Sequence, residues 1–145
     1  QHGAFDPGLA MQAQRPLPTP NKEDAPFWQA AREHRLVLPR CRACGHVWFP
    51  PYATCTKCAS PEIEWIAASG KGVLWGWIEM HQPYIPYFAR DLPYNVVLVR
   101  LEEGAFMYSN IIGARYEDFR ADIPLEVVFE DVNEEISLPK FRLLA

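Results

Sequence analysis

At 145 residues the chain can build one hydrophobic core, or a barrel with a small satellite, but not two independently stable large domains. Hydrophobic residues make up 49% and charged residues 22%, too apolar a balance for wholesale disorder. The formal charge of -4 gives no general attraction to nucleic acid, and no apolar run approaches the roughly 20 residues of a membrane-spanning helix, so a cytoplasmic protein is expected. The charge is uneven: five basic residues against Glu33 alone over 32–57, then ten acids against Arg115 and Arg120 over 102–135. The second half would therefore repel a phosphate backbone.

The chain begins at Gln1, and its first stretch carries Pro7, Pro16, Pro18 and Pro20 with no apolar period, which reads as an arm or linker over 1–21. It is compatible with a domain cut from a longer polypeptide, or with a frayed terminus carrying a tag remnant. A helix is expected over 25–34, with Asp24 as its cap and Pro26 in the first turn, where a missing N–H costs nothing. Phe27, Ala30, Ala31 and His34 would share one face.

Short apolar stretches follow at 36–38, 47–49 and 63–66, interleaved with two cysteine pairs. The spacing Cys41-x2-Cys44, ten residues, Cys55-x2-Cys58 uses every cysteine in the chain. Thiolates two residues apart reach one metal ion from a single tight turn, and zinc favours four tetrahedral ligands. Gly45 supplies permissive backbone after the first pair; Ala59 does so less well after the second. Two disulfides are rare in the cytosol, and a catalytic dithiol belongs in a strand-to-helix unit that is not evident. Iron suits four thiolates as well as zinc does. With four thiols present His46 is not needed as a ligand, and no position stays open for a metal-activated water. The unit spans 22–68.

From 69 to 145 the pattern is a mainly β barrel, with candidate strands at 73–81, 94–102, 105–112, 125–132 and 136–144. Glu103-Gly104 would turn a hairpin between the second and third, and one or two helical turns would fall between the third and fourth, which is the order of an OB-fold. Gly70-x-Gly72 reads as a strand kink rather than a phosphate loop. The first strand is apolar on both faces, with Trp75 and Trp77 on one and Leu74, Ile78 and Met80 on the other, so both faces need cover. The connection 82–93 holds Tyr84, Tyr87 and Phe88 among three prolines, a stiff aromatic segment suited to docking on a partner or an acyl group, or to folding back as a lid. His81 is the best lone acid–base candidate; a lone histidine is more often structural.

Pro26-Phe27-Trp28, Arg35-Leu36-Val37-Leu38, Cys41-x2-Cys44-Gly45, Phe49-Pro50-Pro51, Cys55-x2-Cys58, Leu92-Pro93-Tyr94 and Leu138-Pro139-Lys140-Phe141, in this order, resemble the OB-fold acyl-CoA-associated family. That family carries an N-terminal rubredoxin-like zinc ribbon and was long catalogued as a domain of unknown function. The resemblance runs from about Asp24 to the C-terminus; Cys58-Ala59 departs from the usual cysteine-glycine. It implies a structural zinc and a thiolase-like or sterol-carrier-type acyl-CoA enzyme as partner, an aldolase in steroid side-chain degradation. It also makes acyl-CoA itself a candidate ligand. The chain would not be catalytic alone, and Trp75, Trp77, Tyr84, Tyr87 and Phe88 would contact the partner or the acyl group. The alternative is a module for single-stranded nucleic acid, work that zinc ribbons and OB barrels also do. That alternative needs basic residues among the aromatics of the second and third barrel strands, where only Arg100 is offered beside Glu102 and Glu103.

Overall fold

The structure, a computed structural model, describes residues 14–144. Most of the expected arm lies outside the described residues, and 14–21 carry no regular secondary structure. Helix α1 spans Ala25–Arg32 and buries Phe27, Ala30 and Ala31. Asp24 does not cap it through its side chain, because its backbone is already helical (φ -107°, ψ 0°) rather than extended. Its carboxylate instead accepts the N–H of Asn21, whose own side-chain oxygen takes the N–H groups of Glu23 and Asp24. At the other end His34 adopts φ 60°, and the N–H groups of His34 and Arg35 return to the carbonyls of Ala31 and Ala30. That is a Schellman ending with histidine in the left-handed position, so His34 leaves the helix and is exposed instead of joining the buried face.

Strands β1 (Val37–Cys41) and β2 (Ile63–Ala67) form an antiparallel pair, with Leu38 opposite Ile66 and Cys41 opposite Ile63. The stretch at 47–49 contributes only a bridge between Val47 and Arg40, since Pro50 and Pro51 follow at once and cannot donate to a ladder.

The second sheet contains β3 (Lys71–Met80), β4 (Tyr94–Leu101), β5 (Phe106–Ser109), β6 (Pro124–Asp131) and β7 (Ser137–Leu143), in the order β5-β4-β3-β6-β7. Its two edges meet. Ile111 bridges Phe141 in parallel, the N–H of Phe141 reaches Asn110 O at 3.0 Å, and the N–H of Ile112 reaches Phe141 O at 2.9 Å. The curled sheet is thus joined to itself in the OB manner. β5 is shorter than expected because the chain leaves β4 after Ser109 to make that junction. The expected helix between the third and fourth barrel strands is a single 3-10 turn, Tyr116–Asp118.

A β-bulge between Leu74 and Gly76 corrects the alternation expected along β3. One extra residue flips the faces from there on. Leu74 and Trp77 therefore point inward, opposite Val99 and Val97, while Trp75 and Ile78 stand on the outer face about half exposed. Gly72 is a close approach rather than a kink: a Cβ there would lie 2.5 Å from the backbone oxygen of Arg100.

Phe27, Leu36 and Leu38 from the N-terminal part join Leu74, Val97, Val99, Leu101, Leu125 and Phe141 from the barrel in one continuous core. His34 adds a surface tie, its ring stacked on Phe129 at 5.3 Å and its Nε2 2.7 Å from Asp131 Oδ1. No helix among the described residues is long and apolar enough to cross a membrane.

Candidate metal centre and barrel cavity

The two cysteine pairs sit on matching turns. In the first, Cys41 donates its N–H to His46 O and its carbonyl takes the N–H of Gly45; in the second, Cys55 donates to Ser60 O and accepts from Ala59. The N–H of Cys44 points at Cys41 Sγ (3.4 Å), while those of Lys57 and Cys58 point at Cys55 Sγ (3.3 and 3.4 Å). All four sulfurs lie within 4.8 Å of one another, with Cys41–Cys58 and Cys44–Cys55 each at 3.6 Å. Those separations exclude disulfides, which need about 2.05 Å. They suit a tetrahedral ion: metal–sulfur bonds of roughly 2.3 Å place sulfurs about 3.8 Å apart.

The electrostatics agree. Burial resists ionisation of Cys41, yet the N–H groups of Cys44 and Ala43 and the neighbouring thiols pull it down to about 6. Cys55 is lowered likewise, its burial outweighed by the N–H groups of Cys58 and Lys57. For Cys58 the Ser60 N–H favours the thiolate, but Cys41, burial and the other two sulfurs push it up to about 12. Two thiolates suppress the ionisation of Cys58 until a cation offsets their charge. A bound zinc would supply that charge and occupy all four donors, leaving no open position for water. His46 is not drawn into the cluster; its Nε2 is 3.1 Å from Thr56 Oγ1, and its ring stacks on buried Trp48 beside Cys41 and Cys55.

Gly45 (φ 79°) and Ala59 (φ 64°) occupy the same left-handed position in the two turns. Alanine there carries a backbone cost of about 1 kcal/mol. Ala59→Gly should therefore raise the unfolding free energy by up to about 1 kcal/mol, and Gly45→Ala should lower it by a similar amount, both read from denaturant midpoints.

The five aromatic contact candidates separate. Trp75 is exposed on the outer face, edge-on to Phe106 at 5.5 Å with the Arg100 guanidinium 5.6 Å from its ring. Tyr84 is 70% exposed. Trp77 packs on Phe119 at the core. Tyr87 and Phe88 lie on a short 3-10 helix, Pro86–Asp91, half-buried, with Phe88 against Tyr94. His81 is on the surface, its Nε2 3.0 Å from Glu79 Oε1.

Tyr87 and Phe88 line a cavity of about 810 Å3 that sequence reasoning missed. Arg15, Glu130, Lys140 and Asn110 also line it. Arg15 clamps Glu130 with two hydrogen bonds of 2.9 Å, and Lys140 donates to Asn110 Oδ1 and stands 3.9 Å from Glu130. Asn110 in turn donates to Asn95 O, and the Asn95 side chain bonds both the N–H and the carbonyl of Ile111. The one sequence signal is Lys140, which with Arg142 places charge at alternate positions of β7.

The Arg15 bond, against some burial, holds the Glu130 carboxyl below its ordinary 4.5. A depressed folded value stabilises above the ordinary one and is lost as pH falls through the lowered one. Arg15→Met should cost no more than about 1 kcal/mol at neutral pH, because the pair is partly exposed. The gap in thermal midpoint between variant and parent should close as pH falls below 4.5.

A four-thiol ribbon packed on a curled five-stranded OB-type sheet defines the class, a mainly β zinc-ribbon/OB protein. Residues 28–64 match the family described as "ChsH2, rubredoxin-like zinc ribbon domain", and 65–130 match "ChsH2, C-terminal OB-fold domain". A solved structure, "Ltp2-ChsH2(DUF35) aldolase", is similar with 32% identity and a TM-score of 0.78, over 88% of this chain and 98% of that one. The chain belongs to this DUF35 family of ChsH2-type zinc-ribbon/OB proteins. It is 34% identical to a probable enoyl-CoA hydratase alpha subunit of Thermomonospora curvata, covering 90% of this chain and 40% of that protein. It is 28% identical to the 3-oxo-4,17-pregnadiene-20-carboxyl-CoA hydratase alpha subunit of Mycobacterium tuberculosis, covering 88% and 38%. The chain thus spans about two-fifths of the length of these curated relatives.

Proposed function

We propose that this chain is the accessory, partner-binding component of an acyl-CoA-processing, thiolase-like enzyme, an aldolase that cleaves a carbon–carbon bond in steroid side-chain degradation. The observation that carries this reading is the likeness to a chain of the Ltp2-ChsH2(DUF35) aldolase over 98% of that chain's length. A relative named for a 3-oxo steroid CoA thioester supports a ketosteroid thioester as the substrate class. In the same reading 1–21 is an arm, 22–68 the ribbon unit and 69–145 the OB unit.

The ribbon's part is structural, since four thiolates saturate a tetrahedral ion. Partner binding falls to the exposed aromatics: Trp75, Phe106 and Tyr108 on the outer face of β3 and β5, and Tyr84 beyond the end of β3. Large aromatic side chains left in water on one face are what interfaces use as anchors. Co-expression with a thiolase-like subunit, followed by size exclusion, tests the reading. A stable complex of both chains is expected, and separate elution at micromolar concentration would refute it.

The outer-face aromatics also give the nucleic-acid alternative its one supporting observation, because bases stack on such a stripe. Charge opposes it. Among the described residues Arg100 is the cation set between Trp75 and Phe106, and Glu102 and Glu103 come two and three residues after it. Stacking without a basic track gives little affinity for a polyanion.

A further inference from the structure

The cavity lined by Tyr87 and Phe88 has the size of a small-molecule site, at about 810 Å3 against the roughly 300–1,000 Å3 usual for such sites. Three apolar residues that line it, Ile85, Ile112 and Tyr116, are left in water, each at least 36% exposed. Exposed apolar side chains gathered around a concavity are unfavourable unless something apolar covers them.

The polar part of the lining has hydrogen-bond donors to spare. The Lys140 side chain is only 17% exposed, and its ammonium makes one hydrogen bond, to Asn110, and stands 3.9 Å from Glu130, beyond hydrogen-bond reach. An ammonium has three donors. Arg15 uses its terminal nitrogens on Glu130, while its Nε–H is buried with no acceptor among the described residues. Buried donors without acceptors are costly, so a ligand oxygen here would be held firmly.

The remaining charges decide what kind of oxygen. Glu79, Asp91 and Glu117 line the same cavity with only Arg115 to oppose them, which disfavours a phosphate or another polyanion. An uncharged acceptor on an apolar body meets both demands.

We propose that this cavity binds the ring end of a ketosteroid, with the ring system against Ile85, Phe88, Ile112 and Tyr116 and the ketone oxygen accepting from Lys140 Nζ. This rests on the substrate class proposed above and adds that the accessory chain itself holds the ring end, away from the thioester.

The test uses progesterone, a 3-oxo steroid without CoA, titrated into the purified zinc-loaded chain and followed by calorimetry. Saturable one-to-one binding is expected. Lys140→Met should weaken it about tenfold or more, the size of a lost charged hydrogen bond. A 3-deoxy analogue should bind parent and Lys140→Met alike. Should Lys140→Met fail to fold, Ile112→Asp, at a half-exposed position, should also weaken binding at least tenfold. No saturable binding to the parent chain, equal progesterone affinity in parent and Lys140→Met, or displacement by free CoA would each overturn the proposal. None of these outcomes bears on association with the thiolase-like subunit. Loss of that association with progesterone binding intact would strike the partner reading alone.

Discussion

Cys41→Ser should leave a chain that does not hold its ribbon and is recovered mainly in the insoluble fraction. Cys41 is fully buried at the end of β1, opposite Ile63 of β2, and the separate core around it is only Trp48 and Cys55 with Ile63 packed alongside. So small a cluster cannot offset the chain entropy of the loop between the cysteine pairs. A structural zinc contributes apparent free energies of about 10–16 kcal/mol in zinc-finger peptides, and a loss of that order is more than the rest of this small unit can replace. The damage should spread, because Leu36 and Leu38, on and beside β1, belong to the core shared with the barrel. Elemental analysis of the parent should give one zinc per chain, and chelation above neutral pH should lower the thermal midpoint sharply. Metal-free protein with an unchanged midpoint would contradict this.

Trp75→Ser combined with Tyr84→Ser should weaken association with the thiolase-like subunit by at least thirtyfold, about 2 kcal/mol, while moving the chain's own stability by no more than about 0.5 kcal/mol. Both side chains are more than half exposed, so the isolated fold depends little on them. Trp77→Ser is the contrasting variant. It faces Val97 and Phe119, so its loss should cost about 3 kcal/mol of stability and leave the affinity of the folded fraction unchanged. Isothermal titration against the partner, paired with denaturant unfolding of each variant, separates the two effects. A large drop in stability for the Trp75/Tyr84 pair with normal affinity would mean these aromatics serve the fold.

The metal centre was legible because its chemistry is local. Each cysteine pair and the residue after it lie within a single turn, and even the unfavourable Ala59 could be marked from its place in the pattern. The barrel strands were legible for a related reason, since apolar stretches bounded by glycine, proline and acidic turns encode β-structure within a few residues. The bulge at Trp75 was not. A single inserted residue puts the two tryptophans on opposite faces but leaves an unbroken apolar run in the sequence. His34 was misplaced because nothing in its sequence neighbours announces a histidine in a position usually filled by glycine. The Arg15–Glu130 clamp joins residues 115 apart, and the Asn95, Asn110 and Lys140 network links three strands or their ends. Such contacts exist only once the curled sheet has closed, so periodicity and spacing carry no trace of them.

The most direct test is carbon–carbon cleavage of a ketosteroid CoA thioester by the thiolase-like subunit, measured with and without this chain. The accessory role predicts turnover only when both chains are present, with neither active alone and activity rising until this chain saturates its partner. Equal turnover by the thiolase-like subunit alone, or cleavage by this chain alone at the rate of the mixture, would contradict it.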